Sequence, residues 1–122
     1  MHTLIPAMAT REGKPWAIFG TMGGEGQPQI QAQVLINLVD HRLEPAEAVA
    51  RPRMRVQADG KTITVEADYP GASEMRRSGL EIELMPPRHY TLGHAHSILV
   101  DGPGSWRAGA DPRSDGSVAE AP

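Results

Sequence analysis

The chain has 122 residues, with 15 acidic and 12 basic side chains and a formal net charge of −3 at pH 7. That length allows one domain at most, so we expect residues 1–122 to fold as a single unit, and the acidic balance argues against nucleic-acid binding. The absence of cysteine excludes disulfides, thiol catalysis and zinc sites built on cysteine. No apolar run approaches the length of a membrane span and the first residues lack a signal-peptide pattern, so we predict no membrane association and leave the compartment open.

The first predicted elements form a β-hairpin that leads into a glycine-rich turn. Residues 11–14, REGK, are typical of a hairpin turn in which Gly13 takes a positive φ. Residues 15–20, PWAIFG, predict the returning strand, which we expect to be buried on both faces because it is apolar throughout. Two adjacent glycines then follow, in the stretch GTMGGEGQPQ at residues 20–29.

Two helices are predicted after the glycines. In residues 27–41 the apolar side chains repeat every four positions, which gives a helix a stripe facing the core, and Pro28 suits its first turn. A shorter helix is predicted at residues 44–50. It stops before Pro52, because proline disfavours a helical conformation in the residue that precedes it.

The second half of the chain is predicted to be mostly β-structure. Residues 54–67 are typical of a β-hairpin, with Asp59 and Gly60 as a type I′ turn between alternating apolar residues. We also predict a short helix at residues 71–79 and strands at residues 81–84, 97–101 and 105–110. With no internal repeat and no linker, this order indicates an α+β fold or a layered αββα arrangement.

Gly23 and Gly24 carry the clearest chemical signal in the residues themselves. A helix start presents unpaired N–H groups and partial positive charge, and two glycines allow successive N–H groups to point at one place. Such a turn can hold the oxyanion of an acyl-transfer intermediate or a phosphate. No Lys-Ser/Thr pair follows and Glu25 would repel a phosphate, which excludes a P-loop. A plain strand-to-helix turn remains the alternative.

The histidines at positions 89, 94 and 96 form the one histidine cluster in the sequence, and we consider them as metal ligands. An HxH pair on a strand places both rings on one face, as zinc sites can require. No third ligand is evident in the sequence, so we predict no metal site and no cofactor. Histidines in a strand and a loop are the simpler interpretation.

Near the C-terminus, Asp111 and Arg113 flank a proline in the motif DPR. Arginine binds carboxylates through its planar guanidinium, so the pair is able to orient a site. We favour a structural turn held by an Asp–Arg ion pair, of small energetic value if it is exposed. Asn37, away from the apolar stripe of its helix, is expected to bond neighbouring backbone.

Two stretches carry a resemblance to a known family. They are GTMGGEGQPQIQAQVLINLVDHRLEPAEAVARPR at residues 20–53 and GADPR at residues 109–113. Together they resemble the gamma-glutamyltransferase (gamma-glutamyltranspeptidase) family, in the C-terminal part of its small subunit. HTLIP at residues 2–6 is similar to the acylase-like branch. The resemblance covers nearly the whole chain and is weakest at about residues 56–94.

The resemblance implies an N-terminal-nucleophile hydrolase with an αββα sandwich, in which antiparallel sheets are covered by helices outside. In such an enzyme a freed N-terminal threonine attacks a gamma-glutamyl amide, and its own α-amine serves as the base. The resemblance also implies that the N–H groups of Gly23 and Gly24 form the oxyanion hole. Thr3, Thr10 and Thr21 are internal, so none of them has the free amine that the nucleophile requires.

His2 and Thr3 are the predicted substrate-binding residues, because they stand where glutathione-active members have a Ser-Ser pair for the substrate carboxylate. Thr3 keeps a hydroxyl donor, and His2 adds a group that titrates near neutral pH. This change leaves the acyl donor open between gamma-glutamyl, glutaryl-type and other amides.

The family's nucleophile lies upstream of the matching region. We therefore expect a C-terminal fragment that is inactive alone, whose partners are the remainder of the small subunit and the large subunit. The alternative is a non-catalytic module that stands alone. It would form a homo-oligomer, or pair with a separate upstream chain, through unpaired strand edges.

Overall fold

A computed structural model describes residues 4–77 and 79–119 as two β-sheets with three α-helices. The strands are β1 Ala7–Arg11, β2 Lys14–Met22, β3 Met54–Val56, β4 Thr62–Glu66, β5 Glu81–Met85, β6 His94–Gly102 and β7 Ser105–Ala110. The helices are α1 Gln27–Val39, α2 Pro45–Ala50 and α3 Ala72–Arg77, and short 3-10 turns cover Gly24–Gly26 and Tyr90–Leu92. The predicted elements are confirmed in kind, and their ends shift by a few residues.

The larger sheet has the strand order β1-β2-β6-β7 with every neighbouring pair antiparallel. The predicted hairpin between β1 and β2 is confirmed, and Gly13 in its turn has a φ of 75°. Side chains along β2 alternate, because Phe19 and Thr21 are buried while Met22 is exposed. The expectation that residues 15–20 are buried on both faces is therefore wrong. Among the described residues, only one face of this sheet is covered by helices.

The main core lies between that covered face of the sheet and the helices α1 and α2. The core residues are Ala17, Phe19, Val34, Leu38, Ala48, Val49, Ala95 and Leu99. Helix α2 lies directly on β7 because Gly109 has no side chain: a Cβ there would stand 2.3 Å from the backbone nitrogen of Ala46. The Asn37 amide donates to the Ala48 carbonyl oxygen over 3.0 Å, which confirms its predicted bond to backbone and ties α1 to α2.

The smaller sheet has the order β3-β4-β5 and a core of Ile63, Val65 and Ala72. Strands β3 and β4 are antiparallel, whereas β4 and β5 are parallel because α3 carries the chain back across the sheet between them. The predicted α+β class, with antiparallel sheets and outer helices, is confirmed. The parallel pair is its one departure within the described residues.

The turn between β3 and β4 differs from the predicted type I′ turn. Gly60 has a positive φ of 68°, but Asp59 does not, and type I′ requires both. The loop between β3 and β4 spans residues 57–61 instead. The N–H of Gln57 donates to the Thr62 carbonyl over 2.8 Å, and the N–H of Gly60 donates to the Gln57 carbonyl over 3.0 Å. The Asp59 carboxylate accepts further bonds from the loop backbone, which stabilises the longer turn.

Candidate active site

The glycine turn joins the end of β2 to the start of α1. Gly23 has a φ of 149° and Gly24 a φ of 55°, both in the region that favours glycine. A 3-10 turn begins at Gly24, and the N–H of Gly26 closes it by donating to the Gly23 carbonyl over 3.0 Å. The sequence therefore correctly predicts a strand-to-helix turn here, and its backbone requires both glycines.

The two glycines have different surroundings. A Cβ on Gly23 would stand 2.9 Å from Cδ1 of Ile30, so Gly23 is packed against the first turns of α1. A Cβ on Gly24 would meet no atom within 4 Å. Gly24 therefore borders open space at the positive end of α1, where a small negative group is stabilised.

A groove of about 510 Å³ reaches Met22, the residue that immediately precedes the glycine turn. It is lined by Leu4, Ile5, Pro6, Gly20, Thr21, Met22, His94, His96 and Ser114. His2 and Thr3, the predicted substrate-binding residues, lie outside the described residues. They directly precede one wall of this groove in sequence.

The histidines separate into two places. His94 and His96 both line the groove from β6, which confirms that the HxH pair shares one face of the sheet. His89 lies in a loop, where Nδ1 is 2.8 Å from the Thr91 hydroxyl. Among residues 4–77 and 79–119, no group of three or more histidine, aspartate or glutamate side chains is placed to hold a metal ion. No helix in these residues is long and apolar enough to cross a membrane.

A buried cluster of four charged side chains lies behind the turn. Nη2 of Arg53 is 2.7 Å from Oδ2 of Asp111, and Arg113 bonds both Asp111, over 3.0 Å, and Glu66, over 2.5 Å. All four side chains are at most 2% exposed. The predicted turn held by an Asp111–Arg113 pair is confirmed, and because the pair is buried the small value of exposed ion pairs does not apply to it. The sequence reasoning missed Glu66 and the role of Arg53.

The charges of the cluster depend on one another. Burial lowers the pKa of Arg53 to about 10, although attraction to Asp111 opposes the shift. Burial acts to raise the pKa of Asp111, but attraction to Arg53 and hydrogen bonds from the N–H groups of Ala95 and Arg113 hold that pKa below its usual value. Two positive and two negative groups balance, so the buried charges are paired.

The cluster also holds the loop that packs against the glycine turn. Nη1 of Arg53 donates to the carbonyl oxygens of Leu92 and Gly93, each over 3.1 Å. The N–H of His89 donates to Glu66 over 2.9 Å, and the N–H of Ala95 donates to Asp111 over 2.8 Å. Both ends of residues 89–95 are therefore fixed to buried carboxylates. A hint was present in the sequence, since Glu66 is a lone acid that ends the apolar strand TITVE.

Residues 1–121 match the family described as Gamma-glutamyltranspeptidase. The chain belongs to the gamma-glutamyltranspeptidase family. It is 35% identical, over 96% of its length, to the glutathione hydrolase-like YwrD proenzyme of Bacillus subtilis. It is 29% identical, over 97% of its length, to the oxamate amidohydrolase proenzyme of Klebsiella pneumoniae. The resemblance predicted from the glycine turn and the DPR motif is confirmed, and these relatives are enzymes.

Two solved structures agree with the fold. The gamma-glutamyltranspeptidase from Pseudomonas nitroreducens, complexed with L-DON, aligns with a TM-score of 0.83 at 27% identity, over 100% of this chain and 64% of that one. The cephalosporin acylase from Bacillus halodurans aligns with a TM-score of 0.83 at 33% identity, over 93% of this chain and 22% of that one. The chain spans only 23% and 24% of the two curated relatives, which are named as proenzymes.

Proposed function

We propose that this chain supplies the oxyanion hole of a gamma-glutamyltranspeptidase-like hydrolase or transferase. The N–H groups of Gly23 and Gly24 donate to the oxygen of the tetrahedral intermediate that forms when an amide is attacked. Each such donor contributes about 3 kcal/mol of transition-state stabilisation, because the donors are already oriented before charge develops.

The observation that carries this proposal is the pair of positive-φ glycines at the start of α1, of which Gly24 borders open space. Within residues 4–77 and 79–119, the backbone hydrogen bonds of loops and turns use the N–H of Gly26 but not those of Gly23 and Gly24. Donors that no loop or turn bond uses, one residue beyond a groove that reaches Met22, suit an oxyanion hole, whereas a plain turn gains nothing from leaving them unused.

The substrate of this proposed site is a gamma-glutamyl or glutaryl-type amide. Thr3 and His2 contact its carboxylate from the segment that precedes the groove wall at Leu4. The nucleophilic threonine and its α-amine come from residues outside 1–122, and for that reason we expect the isolated chain to be inactive. The short fraction of each curated relative that the chain spans supports this assignment.

The uncovered face of the larger sheet supports a partner made of the remaining polypeptide, namely the rest of the small subunit together with the large subunit. Met8 is 57% exposed, Met22 40% and Trp106 39%, and all three are large apolar side chains. Several large, exposed apolar side chains on one sheet face indicate a surface that another layer covers. The same face favours the alternative function, a non-catalytic module that dimerises or binds a separate upstream chain.

Reconstitution tests the proposal and separates the two functions. The chain is mixed with the upstream segments, and turnover is measured with gamma-glutamyl-p-nitroanilide and with glutaryl-p-nitroanilide. We expect turnover in the mixture and none from either part alone. A stable, folded complex that turns over neither amide would contradict the catalytic proposal and support the interaction module.

A further inference from the structure

One peptide group links the groove to the glycine turn. The carbonyl of Met22 and the N–H of Gly23 belong to the same planar unit, and they point in opposite directions from it. Whatever fixes the oxygen of Met22 therefore also fixes the direction of the Gly23 N–H. This is one of the two donors of the proposed oxyanion hole.

Thr21 holds that oxygen through its side chain. Its hydroxyl donates to the Met22 carbonyl over 2.6 Å, and the residue is only 4% exposed. A buried hydroxyl with this bond restricts rotation of the Met22–Gly23 peptide, because rotation would break the bond and leave the buried hydroxyl without it.

Gly93, the residue that directly precedes β6, packs against the same oxygen. Its φ is 83°, and a Cβ on it would stand 2.6 Å from the Met22 oxygen and 2.8 Å from the Thr21 hydroxyl oxygen. Gly93 is itself held, since Arg53 donates to its carbonyl over 3.1 Å. The Met22 oxygen thus has a hydrogen bond from its own strand and a backbone in close contact beside it.

We propose that Thr21 and Gly93 are positioning residues that fix the Met22–Gly23 peptide and so aim the N–H of Gly23 at the reacting oxygen. Thr21 lines the groove but is only 4% exposed, and its hydroxyl is bonded to the Met22 carbonyl, so in this scheme it orients the peptide rather than binding the substrate. The inference rests on the proposed oxyanion hole for its effect on catalysis. The orientation of the peptide itself is a separate, measurable property.

The first test replaces Thr21 by valine, which keeps the shape and removes the hydroxyl, in the reconstituted enzyme. We expect kcat to fall about 10- to 100-fold with KM changed less than about twofold, because the donor is misaimed rather than removed. Thr21→Ser restores the hydroxyl and should return kcat close to its original value. The matched control is Thr64→Val. Thr64 is a fully buried threonine of β4, whose hydroxyl bonds Glu83 in the smaller sheet.

The second test needs no turnover. In the 122-residue chain, the amide ¹H–¹⁵N signal of Gly23 should move in Thr21→Val and in Gly93→Ala, and should stay in place in Thr64→Val. If Thr21→Val does not fold, Gly93→Ala is compared with Thr21→Ser, which keeps the hydroxyl and should leave the Gly23 signal in place.

The outcomes separate the two proposals. Equal kcat in Thr21→Val and Thr64→Val, with an unmoved Gly23 signal, would overturn the positioning role. Suppose instead that the Gly23 signal moves, while turnover is unchanged by both Thr21→Val and Gly24→Pro. That result would support the positioning of the peptide and overturn the oxyanion hole.

Discussion

The glycine turn and the buried ion cluster are neighbours with opposite chemistry. The turn at Gly23 and Gly24 has no functional side chain and borders open space. The cluster around Asp111 has four ionised side chains, all of them buried and paired. The region with the most charge is therefore the one with no room for a substrate. The proposed chemistry uses the backbone N–H groups of Gly23 and Gly24 rather than side chains.

This difference shows how the two regions depend on each other. A backbone donor can only stabilise a transition state if its direction is fixed in advance. The cluster provides part of that rigidity, because Arg53 and the two carboxylates hold residues 89–95 against the turn. Mutations in the cluster should therefore lower the unfolding free energy, whereas mutations in the glycine turn should lower turnover.

The largest effect is expected from Asp111→Asn. Arg53 would lose its charged partner while remaining buried, and such a loss costs about 3–5 kcal/mol of unfolding free energy. Urea unfolding of the chain measures this difference. Asp101→Asn is the matched control, since Asp101 pairs with Arg107 at the surface. Equal unfolding free energies in the two variants would show that the cluster contributes no more than a surface pair.

Gly24→Pro should have the next largest effect, and its decisive readout is turnover. Proline removes the N–H and cannot adopt the φ of 55°, so kcat should fall about 100- to 1000-fold in the reconstituted enzyme. Gly60→Pro makes the same change at another open, positive-φ glycine, in the β3–β4 loop. Unchanged turnover in Gly24→Pro would remove that amide from the mechanism.

A smaller effect is expected when acid conditions remove the contribution of Asp111 to stability. The pKa of Asp111 is lower in the folded chain than its ordinary value of 3.8, so its contribution to stability is complete above that pH. It is then lost as the pH falls through the lower, folded pKa. Unfolding midpoints measured between pH 7 and pH 2 should show the original chain and Asp111→Asn converging below about pH 4. A constant difference across that range would contradict the assignment.

Arg107→Gln should have the smallest effect. Arg107 bonds Asp101 over 2.8 Å and also contacts Glu44, but its side chain is 45% exposed, so water competes for every bond. We expect no resolved change in the thermal midpoint. A loss as large as that of Asp111→Asn would mean that exposed and buried ion pairs contribute alike in this fold.

The sequence by itself determined the local elements and the family. The REGK hairpin, the glycine turn, α1 and α2 all follow from neighbouring residues, because turn chemistry and apolar spacing act over a few positions. The type I′ expectation at Asp59 and Gly60 was wrong for a related reason. The side chain of Asp59 bonds the loop backbone, and this competes with the tight turn that the Asp-Gly pair predicts.

Only the tertiary structure decided which distant residues meet. Three segments supply the ion cluster: Arg53, Glu66, and the DPR motif with Asp111 and Arg113. The motif predicts the pair within it, but no spacing in the chain predicts that Arg53 and Glu66 join that pair. The same holds for the contact of Gly93 with the Met22 carbonyl, and for Gly109 under α2. These contacts depend on how two sheets and a helix pack. Packing is set by the sum of many side-chain shapes rather than by any local pattern.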